Sequence, residues 1–185
     1  MITYKLVTVN VVFNEKKDEV LMIQKRRNMR NFSSEINSVG KDKWNSSGGK
    51  VEPNEDFTQG AIRETQEETG IISLNPVPKI GLNIEWPGQN LFNVIFLTTQ
   101  YEGQLKKIDE ECIPQWVPKS QIPYNKMFNT DREWFPHVFD KQFYVYDIKG
   151  QLANNDIIST VTGSRQVTKN ELENLLMLRL TQRVK

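Results

Sequence analysis

Apolar and β-branched residues crowd two short runs near the start of the chain, Lys5 to Phe13 and Glu19 to Gln24, with the polar turn Asn14 to Asp18 between them. That spacing predicts two neighbouring strands. Arg26 to Lys43 is polar and without a period, so it reads as a long loop of the kind that forms lids or binding segments. Trp44 and Asn45 then lead into a glycine-rich turn. From Glu55 to Thr69 the apolar side falls at Phe57, Ala61 and Thr65, with Ile62 beside it, the stripe of an amphipathic helix. Asn54 is expected as its N-cap and Gly70 as the residue that closes it.

Beyond the helix, Lys79 to Trp86 and Leu91 to Gln100 flank Pro87, Gly88, Gln89 and Asn90, a strand, turn and strand. Further strands are expected at Gln115 to Val117, Gln142 to Ile148 and Ile157 to Val161, with a short helix around Thr130 to Phe139. Thr168 and Glu171 form a capping-box pattern before Leu172, Leu175, Leu176 and Leu180, which predicts a terminal amphipathic helix. Residues 1–166 are expected to form one domain, with 167–185 a helical extension packed on it or on a partner.

Charge and composition narrow the function. Lys and Arg number 24 against 23 Asp and Glu, so the net charge of +1 offers no grip on a nucleic acid polymer, while a nucleotide monomer stays open. No run reaches membrane-spanning length and the start lacks a signal-peptide pattern, which together with the single cysteine, Cys112, implies a cytoplasmic protein. Cys112 is expected to be a buried apolar residue, and His137, the one histidine, a structural or surface group.

The candidate chemistry lies on the first helix. Glu64, Glu67 and Glu68 fall within one turn and share a face, where like charges repel by a few tenths of a kcal/mol. Arg63 is adjacent, and Gly48, Gly49 and Lys50 form a turn just before the helix. Oxygen ligands crowded in this way suit Mg²⁺ or Mn²⁺, whereas one His and one Cys cannot build a zinc site. A bound metal is expected to offset the charge.

The order Gly49, five residues, Glu55, seven residues, Arg63, Glu64, Thr65, one residue, Glu67, Glu68, one residue, Gly70, Ile71 resembles the box of the Nudix hydrolases. Every fixed letter of the box is present, and Thr65 alone departs, standing where the family has a bulky aliphatic residue. The resemblance implies an α/β fold, an α/β/α sandwich with a mixed β-sheet, and metal-assisted hydrolysis of a nucleoside diphosphate linked to another group. It also implies that Glu64, Glu67 and Glu68 hold Mg²⁺ with the carbonyl of Gly48, one carboxylate taking a proton from water. Arg63 would orient an acidic neighbour, Glu55 or Glu52.

Downstream, Asp109 to Trp116, Gln121 to Met127 and Glu133 to Pro136 look like the MutT-type oxidised purine nucleoside triphosphatases of the mammalian branch. That likeness spans roughly Thr3 to Gly150. It implies that Glu111 is a metal-binding or base carboxylate outside the box, that Asn45 reads a purine edge and that Thr8 lines the pocket, where Gln24 stands in place of a lysine; Lys50 at the glycine turn is a further candidate for substrate contact. Phe128 stands where a stacking tryptophan is expected, and Thr130 and Asp131 where two adjacent acids are expected. The reading is a nucleoside triphosphate pyrophosphohydrolase for an oxidised purine such as 8-oxo-dGTP. Hydrolysis of another nucleotide or a nucleotide sugar is the alternative; a non-catalytic sensor would be marked by a lost box glutamate, and none is lost.

Overall fold

The computed structural model describes residues 2–26, 42–107, 112–153 and 156–184. Most of the expected loop between Arg26 and Lys43, and Glu111, therefore lie outside the described residues. In chain order the elements are β1 (Lys5–Asn14), β2 (Glu19–Lys25), β3 (Trp44–Asn45), β4 (Ser47–Lys50), α1 (Phe57–Thr69), β5 (Ile71–Leu74), β6 (Val77–Trp86) and β7 (Gln89–Thr98). There follow β8 (Gln100–Gly103), β9 (Cys112–Pro118), α2 (Asp131–Trp134), β10 (Phe143–Ala153), β11 (Asp156–Val167) and α3 (Lys169–Thr181).

Among the described residues nine strands form one mixed sheet, in the order β11-β10-β6-β7-β1-β2-β3, with β4 also on β1 and β9 also on β2. β1 is its spine. One edge runs parallel to β7 from Lys5 to Val12. The other edge is shared: Val7 to Asn10 pair with β4, and Phe13 and Asn14 pair with β2. Strand alternation sends Leu6, Thr8 and Asn10 to one face and Val9 and Val11 to the other. The first face is covered by α1 and α3, where Leu6, Phe57, Ala61, Phe92 and Phe96 pack with Leu175, Leu176 and Leu180. On the second, Val9, Val11, Val20 and Met22 pack under Trp134, Phe135 and Val138. This is the α/β/α sandwich with a mixed sheet.

Several boundaries differ from those read in the sequence. The N-cap of α1 is Asp56, not Asn54: its carboxylate accepts the Gln59 amide at 2.8 Å while the Gln59 side chain takes the Asp56 amide at 2.9 Å. Glu55 is drawn away to an arginine and stays outside the helix. The glycine-rich turn is largely strand β4, because bare backbone can lie flat against β1. Ile71 to Leu74 and Gln100 to Gly103 pair as a separate two-stranded ribbon, too short and mixed to be seen by alternation. The expected helix over Thr130 to Phe139 is α-helical only to Trp134 and then a 3-10 turn, as Pro136 removes an amide donor there.

α3 begins at the Thr168 and Glu171 capping box and buries Leu172 against Val145 and Val167. Its end returns to β1, where the Tyr4 amide donates to the Gln182 carbonyl at 2.9 Å and the Val184 amide to the Tyr4 carbonyl at 3.0 Å. The Arg183 guanidinium donates to the Glu52 and Glu55 carbonyls at 2.7 and 2.8 Å, bracing the segment that leads into α1.

Candidate active site

The site forms where α1 crosses β4. A methyl group added at Gly48 would stand 2.2 Å from the Thr8 carbonyl oxygen, and one at Gly49 would stand 2.5 Å from the Glu64 carboxyl carbon. Backbone contact thus requires glycine at 48, while a side chain at 49 would displace the Glu64 carboxyl. Glu64 lies over Gly49, and Glu68 accepts the Gly48 amide at 2.9 Å. Two carboxylates thus flank one turn of backbone.

Cationic side chains hold these acids. Arg63 donates to Glu55 through Nε at 2.6 Å and Nη2 at 3.1 Å, and through Nη1 to Glu64 at 2.9 Å and Glu67 at 3.0 Å. Nη2 also reaches the Lys50 carbonyl at 3.0 Å, which ties the end of β4 to α1. Lys25, the last residue of β2, pairs with Glu68. Arg63 holds the Glu55 carboxyl below its usual range, and its own pKa is raised chiefly by that hydrogen bond. Glu64 moves the other way: burial raises its pKa, more than Arg63 lowers it.

Arg63 and Lys25 offset part of the clustered charge, two cations beside the four carboxylates of Glu55, Glu64, Glu67 and Glu68. Glu64 and Glu68 lie at the glycine bend, and Arg63 Nη1 bridges Glu64 to Glu67, whose side chain is more than half exposed. Among the described residues no three ligating side chains lie close enough to hold an ion as they stand. The donor set nevertheless suits a hard divalent cation: the two carboxylates at the bend offer only oxygen, and Glu64 has been stripped of water, so it gains from a nearby positive charge.

The expected base-contacting residues divide between the two faces of the sheet. Gln24 stands opposite Trp44 on the face of Val20 and Met22. That face also carries α2, with Asp131 at its start and Phe128 three residues before. Asp131 is buried, accepts the Phe128 amide at 3.1 Å, and has its carboxyl pushed up to about 7 by burial, against the pull of its hydrogen bonds from Phe128 and Trp134 and the charge of Lys43. Lys43 lies over the Phe128 ring, 5.3 Å from its centre. Thr130 is buried and caps nothing with its side chain. Thr8 lies instead beneath α1, its methyl directed at Gly60 and its buried hydroxyl without a partner among the described residues. Asn45 stands opposite Ile23, accepting the Ser46 amide at 2.8 Å, and the Lys50 side chain is exposed.

Two residues at the site were not singled out from the sequence, Lys25 and Lys43. Alternation along β2 was the available signal for Lys25: it puts Lys25 on the side of Leu21 and α1, opposite to Gln24. Lys43 gave none, since it ends a segment without period. Cys112 is buried, with its thiol 3.2 Å from the Glu68 carbonyl, and His137 forms a surface pair with Asp140 at 2.8 Å.

The family model described as NUDIX domain matches residues 4–138. The chain is 34% identical over 161 residues to a protein of Danio rerio named oxidized purine nucleoside triphosphate hydrolase, a match covering 85% of this chain and 93% of that one. It is 31% identical over 134 residues to the Mus musculus protein of the same name, covering 71% and 84%. Among solved structures it is similar in fold to a MutT protein from Bacillus halodurans, with a TM-score of 0.65 at 23% identity over 88% of this chain and 97% of the other. A MutT protein from Methanosarcina mazei Go1 aligns with a TM-score of 0.58 at 26% identity, covering 74% and 94%.

Proposed function

Because the chain belongs to the Nudix family of hydrolases, we propose that it is a Mg²⁺-dependent nucleoside triphosphate pyrophosphohydrolase acting in the cytoplasm on oxidised purine nucleotides such as 8-oxo-dGTP. The observation that carries this reading is the pair of carboxylates, Glu64 and Glu68, on either side of the Gly48 and Gly49 bend. Glu64, Glu67, Glu68 and the Gly48 carbonyl would hold the ion, with Glu111 from outside the described residues. When bound, it would neutralise phosphate charge and stabilise the leaving pyrophosphate.

The chain's own residues do the rest. Attack of water forms one P–O bond as the bond to pyrophosphate breaks, leaving a nucleoside monophosphate and one proton to be taken up. One of the acidic carboxylates takes up that proton. Arg63 acts through the acids it grips, fixing Glu64 relative to the end of β4. On the far face Phe128 offers a ring for stacking and Asp131 a carboxyl for the base edge. Residues 1–166 would be the hydrolase domain and 167–185 an extension packed on it.

The names of the relatives support an oxidised purine. Thr130 supports a second reading, a different nucleotide or a nucleotide sugar, since it cannot supply the second acid expected beside Asp131. Steady-state kinetics with 8-oxo-dGTP, dGTP, dATP and a nucleotide-sugar panel separates the two. The first reading expects kcat/KM to be highest for 8-oxo-dGTP, loss of turnover with EDTA and its return with Mg²⁺. Equal rates with 8-oxo-dGTP and dGTP would remove the substrate assignment; turnover indifferent to EDTA would remove the mechanism.

A further inference from the structure

Thr65, the one departure from the family box, belongs to a closed set of buried polar side chains between β1 and α1. Its hydroxyl donates to the Ala61 carbonyl at 2.7 Å. With that proton committed it can only accept from its other two neighbours, the Asn10 amide nitrogen at 2.9 Å and the Ser47 hydroxyl at 2.9 Å. Asn10 spends its second amide hydrogen on the Ser73 hydroxyl at 2.7 Å, and its carbonyl oxygen accepts from Thr98 at 2.8 Å. All five residues are almost wholly buried, so each bond replaces one that water would otherwise make.

An aliphatic side chain at position 65 would pack here without any of this. The polar set brings something else, which is direction. Ser47 is the residue before Gly48, and Thr65 follows Glu64 and stands three residues, just under one turn, before Glu68. The bond between their hydroxyls is therefore a direct link from the glycine bend to the acidic turn, and Asn10 anchors it to the spine of the sheet. A methyl contact is non-directional, whereas the hydrogen-bonded trio adds a constraint of direction between α1, β4 and β1.

We propose that Asn10, Ser47 and Thr65 are positioning residues, which set Glu64 and Glu68 against the Gly48 and Gly49 bend and so tune its affinity for a divalent cation. The inference rests on the hydrolase reading above. Ser73 and Thr98 complete the hydrogen bonding of Asn10 but do not touch the bend, which makes Thr98 an internal control. A purely structural cluster loses stability from any member alike. A positioning cluster loses metal affinity only when the link itself is cut.

The test is direct titration of the full chain with Mn²⁺ alone, followed by the electron paramagnetic resonance of the free ion, beside urea unfolding for each variant. Thr65→Val and Ser47→Ala are expected to raise the Kd for Mn²⁺ by about fivefold or more, the equivalent of one lost hydrogen bond. Thr65→Ser, which keeps the hydroxyl, should restore it, and Thr98→Val should lower stability with the Kd unchanged. Equal Kd values for wild type, Thr65→Val and Ser47→Ala overturn the proposal, as does a rise of the same size in Thr98→Val. Wild-type protein that binds no Mn²⁺ overturns the hydrolase reading as well, so the two failures are told apart.

Discussion

Replacing Asp131 by Asn should abolish most of a pH-dependent loss of stability that the wild-type protein suffers above pH 5. In the folded chain the carboxyl is buried and titrates near 7, against an ordinary value of 3.8. A raised folded pKa means that the folded state keeps a proton which the unfolded chain has given up. Stability is then full below pH 3.8, falls as pH rises, and levels off once the pH passes 7. Each pH unit in that interval is worth about 1.4 kcal/mol, so from pH 5 to pH 8.5 Asp131 should cost about 3 kcal/mol. Asn keeps an oxygen to accept the Phe128 amide and has no proton to lose. Urea unfolding of both proteins at pH 5 and pH 8.5 measures the difference, and comparing wild type with variant cancels every other titrating group. A wild-type-minus-variant difference that is the same at both pH values would refute the assignment of a buried, protonated carboxyl at α2.

Three further outcomes follow from the site. Gly49→Ala would press a methyl group against the Glu64 carboxyl; kcat should fall at least about tenfold with the fold intact, since a displaced catalytic group is costly at small distances, and circular dichroism with steady-state kinetics checks both parts. Glu67→Gln alters a mostly exposed side chain, so unfolding free energy should move by less than about 0.5 kcal/mol, while turnover under saturating Mg²⁺ should drop by about a hundredfold or more. Asp56→Ala removes the cap of α1 away from the acids and should lower stability by about 1 kcal/mol, with kcat/KM at 20 °C or so below the transition unaltered.

Strands β1 and β2 were readable from their runs of apolar and β-branched residues, and the acidic helix from its apolar stripe. Gly70 closed the helix as expected, its φ of 79° being the left-handed backbone that glycine tolerates. The start of the helix was misread because two nearby residues, Asn54 and Asp56, can each cap, and the reciprocal bonds with Gln59 decide for Asp56. β4 was read as a turn since two glycines carry no alternation; a methyl group 2.2 Å from the Thr8 carbonyl is a tertiary fact that leaves no trace in periodicity. In the site, the three glutamates were placed on one helical face by spacing alone. Which of them faces the bend was not, because that choice is shared by Arg63 on the same helix and Lys25 at the end of β2. Thr65 had looked like a flaw in an apolar stripe; Asn10, Ser47, Ser73 and Thr98 make it a partner.

The divided edge of β1 acts as a ruler. The acidic bend hangs on Val7 to Asn10 and the ribbon of β2, β3 and β9 on Phe13 and Asn14, so the width between the two walls is counted in residues of a single strand. One residue inserted between Asn10 and Phe13 would widen that interval by about 3.3 Å and turn every later side chain over.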